Sequence, residues 1–315
     1  MTSLVADVGG TNTRVALAEG PVVLPGSIRR YRNADHCDFT SLLGHYLASA
    51  GRVACGMACV AVAGPVRDGV AELTNVDWRI DTAGIARATG TGSVALLNDL
   101  QAKGYALGHI APSHLREIMP QSGAGSSAAQ LVIGVGTGFN AAVVHHLASG
   151  RYVAPAEAGH VNLPVGNDAD LRLSQFIETR YGFAGVEDVL SGRGIENIHA
   201  WLGHPEDMPS KMCATDIVQA LASCDPRAVA TLRVFARLFG VFAGNLALTT
   251  LPFGGIYLAG GVSRAIAPCL RDLGFVEAFR DKGRFSGFMK SFGVSVIEDD
   301  HVALTGCASH LADGC

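Results

Sequence analysis

The sequence predicts a two-domain α/β protein, each domain built on a mostly parallel sheet, with ligands collecting at strand ends in a cleft between the domains. Three observations carry this. At 315 residues, 49% of them hydrophobic, the chain exceeds the usual size of one compact domain and can bury a substantial core. A strand, glycine turn, strand pattern occurs twice, at Val5–Val8, Gly9-Gly10-Thr11-Asn12, Val15–Leu17 and again at Leu131–Val135, Gly136-Thr137-Gly138, Ala141–Val144. Laid over each other, Leu4 meets Leu131, Val5 meets Val132, Val8 meets Val135 and Gly9 meets Gly136. This spacing is too long for a solenoid and suggests a duplicated α/β domain. The third observation is strand and helix alternation along the remaining chain.

In order, the first glycine hairpin is followed by a helical segment over Phe39–Ala50. A buried strand over Cys59–Ala63 stops at Gly64-Pro65, and a strand over Ser93–Leu97 is closed by Asn98-Asp99, which open a helix. After the second hairpin, helical patterns run over Leu171–Tyr181, Asp188–Leu202, Ala214–Ser223 and Pro226–Leu248. Ile256–Ala259 then reads as a strand running into Gly260-Gly261.

Composition excludes several function classes. With 24 Lys plus Arg against 28 Asp plus Glu, the net charge of −4 leaves no electrostatic footprint for nucleic acid or an anionic membrane, so the partner is a small molecule. The start, Met1 to Asp7, carries no basic segment and predicts no signal peptide. Leu238–Val262 is uncharged and long enough to span a bilayer, but Asn245, Pro252, Gly254, Gly255, Gly260 and Gly261 would leave broken backbone in lipid. A buried helix, turn and strand fit it. The eight cysteines lack paired zinc spacing, so Cys55 and Cys59 read as packed, reduced thiols of a cytoplasmic protein.

Asp7-x-Gly9-Gly10-Thr11-Asn12 places an acid at the end of a buried strand, with glycines that let backbone N–H groups approach phosphate while the acid orients hydrated Mg²⁺. A tight hairpin with a turn-capping Asp is the plain alternative. Gly136-Thr137-Gly138 offers a second such loop, and phosphoryl transfer is catalysed by positioning and charge stabilisation from both sides. Neither loop is a Walker A or a complete dinucleotide fingerprint, which disfavours a nicotinamide enzyme. Asn98-Asp99 at a strand end offers a carboxylate for a sugar hydroxyl's proton, or only an N-cap for the following helix. Glu157-Ala158-Gly159-His160 presents an acid and a ring to adjacent hydroxyls, or a structural histidine. Glu187 reads alternatively as an exposed residue in a helix's first turn, and Asp299-Asp300-His301 as a solvated turn before the last helix.

Taken together, these residues resemble the bacterial ATP-dependent glucokinases, in the group lacking the cysteine-rich zinc signature of ROK sugar kinases. Asp7-Val8-Gly9-Gly10-Thr11-Asn12 is similar to the first phosphate loop and Gly136-Thr137-Gly138 to the second. Thr74-Asn75 with Trp78 looks like a segment near the cleft, and Leu97-Asn98-Asp99 like the catalytic strand end. Glu157-x-Gly159-His160 and Glu187-x-Val189-Leu190-Ser191-Gly192 resemble the sugar-binding elements, and Ala259-Gly260-Gly261 the adenosine loop. The resemblance implies a two-domain actin/hexokinase-like (ribonuclease H-like) fold. Its small domain would be residues 1–108, completed by a C-terminal helix at 302–315, and its large domain residues 109–301. It implies glucose and ATP as substrates, Asp99 as general base, and Asn98, Glu157, His160 and Glu187 as sugar ligands. Asp7 would organise Mg²⁺ through water, and the assembly would be a homodimer. Two positions depart from the family pattern. Phe139-Asn140 stands where Leu-Gly is common, which would put a side chain near the phosphates. Ala158 stands where Gly is usual, which is harmless only at negative φ. A non-catalytic sugar sensor and a kinase for another acceptor are the competing readings of the same fold.

Overall fold

The computed structural model describes residues 1–73, 76–121, 123, 125, 127–203 and 212–314; Thr74 and Asn75 therefore lie outside the described residues. The chain divides into two compact units. Residues 1–112, 146–155 and 299 onward form one, and residues 113–145 and 156–298 the other.

The first unit is built on the hairpin of Thr2–Val8 and Asn12–Glu19, in which Asp7 lies opposite Arg14. Thr2–Val8 pairs parallel with Met57–Val62, which pairs parallel with Ser93–Asn98. Both faces of this sheet are covered, so Leu4, Val5, Ala6 and Val8 are all fully buried and the strand reads as a continuous apolar run. Leu4, Ala6, Val8, Val60 and Val62 form one core with Phe39, Leu42, Leu43 and Tyr46 of the helix Phe39–Ser49. The C-terminal helix Val302–Asp313 packs on the strands and on the helix Asp99–Ala106. Trp78 is buried in the same core. Beside it lies a small sheet of Val66–Arg67, Val70–Glu72 and Arg79–Asp81, whose strands are too short to leave a period in the sequence.

The expected boundaries shift at three places, and residues 109–112 and 299–301 also fall in the first unit. Residues 146–155 fall within the range assigned to the large domain, yet they belong to the first unit. Arg151 explains it: its guanidinium donates to the carbonyls of Tyr105 and Leu107 at the C-terminal end of helix Asp99–Ala106 and pairs with Asp313 at 3.1 Å. From the same strand, the Val153 carbonyl accepts from Gln101 Nε2 at 3.1 Å.

The second unit repeats the topology. The hairpin of Gln130–Val135 and Phe139–Leu147 pairs parallel with Ile256–Ala259, which pairs parallel with Val294–Ile297. Leu115–Met119 closes the sheet edge. Helix Pro226–Thr250 runs for 25 residues, capped by Asp225, which accepts from Ala228 N at 2.8 Å. It is long and apolar enough to cross a membrane, but Phe235, Phe239 and Phe242 are buried in the unit's core, where Phe139 and Phe275 meet Phe239 edge to face. The helix expected from Asp188 begins instead at Gly192. Ser191 is extended (φ −152°) and its hydroxyl accepts from Gly194 N at 3.0 Å, so the chain enters the helix there.

Candidate active site

In the first unit the polar groups gather where the parallel strands end. Asp7 sits at the end of the first strand, and Gly9 N–H closes the Gly9-Gly10-Thr11-Asn12 turn on the Asn12 carbonyl at 3.0 Å. Asn33, which the sequence reading missed, braces this loop. Its amide donates to the Gly9 carbonyl at 2.8 Å, its backbone N–H to the Thr11 carbonyl at 2.9 Å, and its Oδ1 accepts from the Thr13 hydroxyl at 2.9 Å. No local spacing connects Asn33 to the loop; the strand Arg29–Arg32 brings it there by pairing with Asn12–Glu19.

Asn98 ends the strand Ser93–Asn98, and it, not Asp99, is the N-cap. Its Oδ1 accepts from Gln101 N at 2.7 Å while Gln101 Oε1 accepts from Asn98 N at 3.1 Å, a complete capping box. Asp99 is thereby released from capping and occupies the first helical position. Its Oδ2 accepts from Lys103 Nζ at 2.6 Å, one helical turn on. The Asp7 carboxyl, 18% exposed, lies 3.4 Å from Arg14. Burial pushes the Asp7 pKa above the ordinary carboxylate value; Lys103 opposes this, the Asp99 charge adds to it, and Arg14 opposes it again. Lys103 and Arg14 were also missed, although Asp99-x-x-x-Lys103 is an i,i+4 pair visible in the sequence.

In the second unit, Gly136-Thr137-Gly138 links the two strands of the hairpin, with Gly136 N–H donating to the Gly138 carbonyl at 2.9 Å and the Gly136 carbonyl accepting from Gly192 N at 2.8 Å. Glu187 joins this loop to the 157–160 turn. Its Oε2 accepts from Phe139 N at 2.8 Å, and its own N–H donates to the Gly159 carbonyl at 2.9 Å. Arg193 lies 3.5 Å from Oε1. Glu187 is thus in a turn before the helix rather than in the helix's first turn. Glu157 and His160 are exposed at either end of the 3₁₀ turn Ala158–His160, so His160 is not a buried structural histidine. Gly260 (φ +99°) leads strand Ile256–Ala259 into the helix starting at Gly261; a Cβ at Gly260 would collide with the Val135 carbonyl, so this position is closed to other residues.

The geometry bears on both departures from the family pattern. Asn140 lies in strand Phe139–Leu147, and its side chain donates to the Ala156 carbonyl at 2.6 Å and accepts from Ala158 N at 3.0 Å. Ala158 has negative φ, so replacing glycine there costs no backbone strain. Asp299 caps the turn before the last helix by accepting from His301 N at 2.8 Å, and among the described residues no cluster of three or more His, Cys, Asp or Glu side chains could hold a metal.

The comparisons with known proteins agree in family. The family model described as glucokinase matches residues 4–314. The glucokinase of Caulobacter vibrioides (strain NA1000 / CB15N) is 35% identical over 315 residues, covering 98% of this chain and 94% of that protein. A crystal structure of glucokinase from an Antarctic psychrotroph matches with a TM-score of 0.86 and 28% identity, covering 98% of each chain. The glucokinase of Balamuthia mandrillaris, in complex with glucose, shares the fold with a TM-score of 0.83 at 23% identity, covering 99% of this chain and 94% of that one.

Proposed function

The chain belongs to the glucokinase family, and we propose that its two polar clusters divide the work of ATP-dependent glucose phosphorylation between them. The reaction is transfer of the γ-phosphoryl group of ATP to the 6-hydroxyl of glucose, giving glucose 6-phosphate and ADP. In our reading Asp99 takes the 6-hydroxyl proton as that oxygen attacks the γ-phosphorus, and the bond to the ADP oxygen breaks. The observation that carries this role is the capping box: Asn98 satisfies the helix N-terminus, so Asp99 is not needed there and presents a carboxylate at the strand end. The Asn98 amide, Glu157, His160 and Glu187 take the sugar hydroxyls. A site built from several hydrogen-bonding groups rejects the wrong epimer because buried polar atoms are then left unpaired.

In our reading Gly9, Gly10, Thr11 and Asn12 of the first unit, and Gly136, Thr137 and Gly138 of the second, each offer backbone N–H groups suited to phosphate, and Gly260 and Gly261 serve the adenosine. The raised Asp7 carboxyl, with Asp99 adding negative charge to its surroundings, fits a cation carried by the nucleotide. Asp7 would hold hydrated Mg²⁺, whose chemistry is to neutralise charge on the transferring phosphates. The same family likeness supports a cytoplasmic homodimer acting at the first step of glycolysis, in the group without the ROK zinc cysteines; the seven described cysteines are free.

A coupled assay of glucose, mannose, fructose, galactose and N-acetylglucosamine with ATP and Mg²⁺ tests the reading. Glucose is expected to be turned over, and Asp99→Asn to lower kcat by about 10²–10⁴-fold with glucose still bound. A folded Asp99→Asn protein with near-native kcat would remove Asp99 from the mechanism, and a folded native chain inert toward every hexose would overturn the enzyme reading.

A further inference from the structure

We propose that Lys103 is a positioning residue for phosphoryl transfer, its ammonium clamping one oxygen of Asp99 so that the other faces the sugar hydroxyl. The proposal rests on the reading of Asp99 as the base. The Nζ–Oδ2 distance is 2.6 Å, and the two side chains are only 16% and 26% exposed, so this is not the solvated surface pair that contributes little. The helix carrying both residues is fixed at each end. The capping box and the Gln101 bond to the Val153 carbonyl hold its start, and Arg151 holds its last carbonyls. With the backbone fixed, the one freedom left to Asp99 is rotation of its side chain, and the bond from Lys103 removes it.

The charges around the pair need the same lysine. Asp7 and Asp99 both act on this corner, and of the charged groups near Asp7, Lys103 offsets its burial more strongly than Arg14 does. Nothing in the chain's local structure requires Lys103 for the helix itself, since an i,i+4 pair supports a helix by only about 0.2–0.5 kcal/mol.

The test uses the full chain with Lys103→Met, Lys103→Arg and Asp99→Asn, alone and with Lys103→Met combined with Asp99→Asn, each checked for folding by thermal melt. Misplacing a catalytic group by about 1 Å costs on the order of 100-fold, so Lys103→Met is expected to lower kcat by roughly 10- to 100-fold with KM for glucose and for ATP within about twofold of native. Lys103→Arg, which keeps a cation on that turn, should recover part of the loss. In the Asp99→Asn background Lys103→Met should change kcat no further, because the group it positions is gone. A native kcat in folded Lys103→Met, a loss that adds fully to that of Asp99→Asn, or a loss expressed in the KM for ATP would each overturn the proposal. If Asp99→Asn alone kept its kcat, the base assignment would fall and this inference with it, whatever Lys103→Met did.

Discussion

Gly138→Ala separates the packing of the second loop from its chemistry. Gly138 is not in the left-handed region, so its backbone accepts alanine. What it lacks is room: a Cβ would lie 2.5 Å from Glu187 Oε2 and 3.1 Å from Glu187 Cδ. The carboxylate ends a flexible side chain and will swing away rather than displace the loop, giving up its 2.8 Å bond from Phe139 N–H. A hydrogen bond to a charged group contributes about 1.5–3 kcal/mol, and Gly to Ala returns about 0.4–1 kcal/mol by restricting the unfolded chain, so the net loss is about 0.5–2.6 kcal/mol. At roughly 2–4 °C per kcal/mol for a unit of this size, Tm should fall by about 1–10 °C. Glucose affinity should fall by about tenfold if the displaced carboxylate gives up about 1.4 kcal/mol of sugar binding. Calorimetric titration with glucose and a thermal melt on one preparation measure both, with Glu187→Gln as the control that keeps an acceptor for Phe139 N–H and should melt closer to native. Native Tm and native glucose affinity in Gly138→Ala would refute the claim that this carboxylate is pinned between loop and sugar.

Asn98 has two roles that a pair of substitutions can split. Asn98→Asp keeps a capping oxygen and loses the amide, so it should hold its Tm and bind glucose more weakly, whereas Asn98→Ala should also lose about 0.5–2 kcal/mol of stability. Equal glucose affinity in native and Asn98→Asp protein would confine Asn98 to the cap. Asp7 makes a pH prediction. Its folded-state pKa lies above the ordinary 3.8, so from that value up to the raised one the folded chain binds more protons than the unfolded chain and loses stability as pH rises. Asp7→Asn lacks that titration and should gain on the native protein through this window and stay level above it. Urea melts of nucleotide-free protein in Mg²⁺-free buffer, between about pH 3.5 and about pH 8, give the difference. Stability of Asp7→Asn that falls relative to the native protein as pH rises through this window would reverse the sign assigned to Asp7.

What was legible in the sequence was whatever the chain states locally. The two glycine hairpins, the strand Ile256–Ala259 and the helix from Pro226 each carry their period, their punctuation and their cap within a few residues. The repeat of Leu4, Val5, Val8 and Gly9 in Leu131, Val132, Val135 and Gly136 corresponds to a repeated topology, because the same pairing order follows each hairpin. Illegible were the braces that arrive from elsewhere. Asn33 reaches the first loop across a neighbouring strand, and Arg151 draws 146–155 into the first unit through carbonyls more than forty residues away. Ser191 shortened a helix whose apolar pattern alone ran on from Asp188, since a capping hydroxyl overrides a continuing period.

Asn140 shows a placement that strand alternation makes recoverable from the sequence. It was expected to burden the phosphates because it directly follows the second loop and stands where a glycine is common. Yet it is a strand residue, and strand side chains alternate between faces. Phe139 turns into the core against Phe239 and Phe242, so Asn140 must turn the other way, where it ties down the Ala156 carbonyl and the Ala158 N–H. Those bonds hold the segment from which Glu157 and His160 project. Under the proposed assignment of Glu157 and His160 to the sugar, Asn140 would therefore act on sugar binding, through its bonds to the Ala156 carbonyl and the Ala158 N–H.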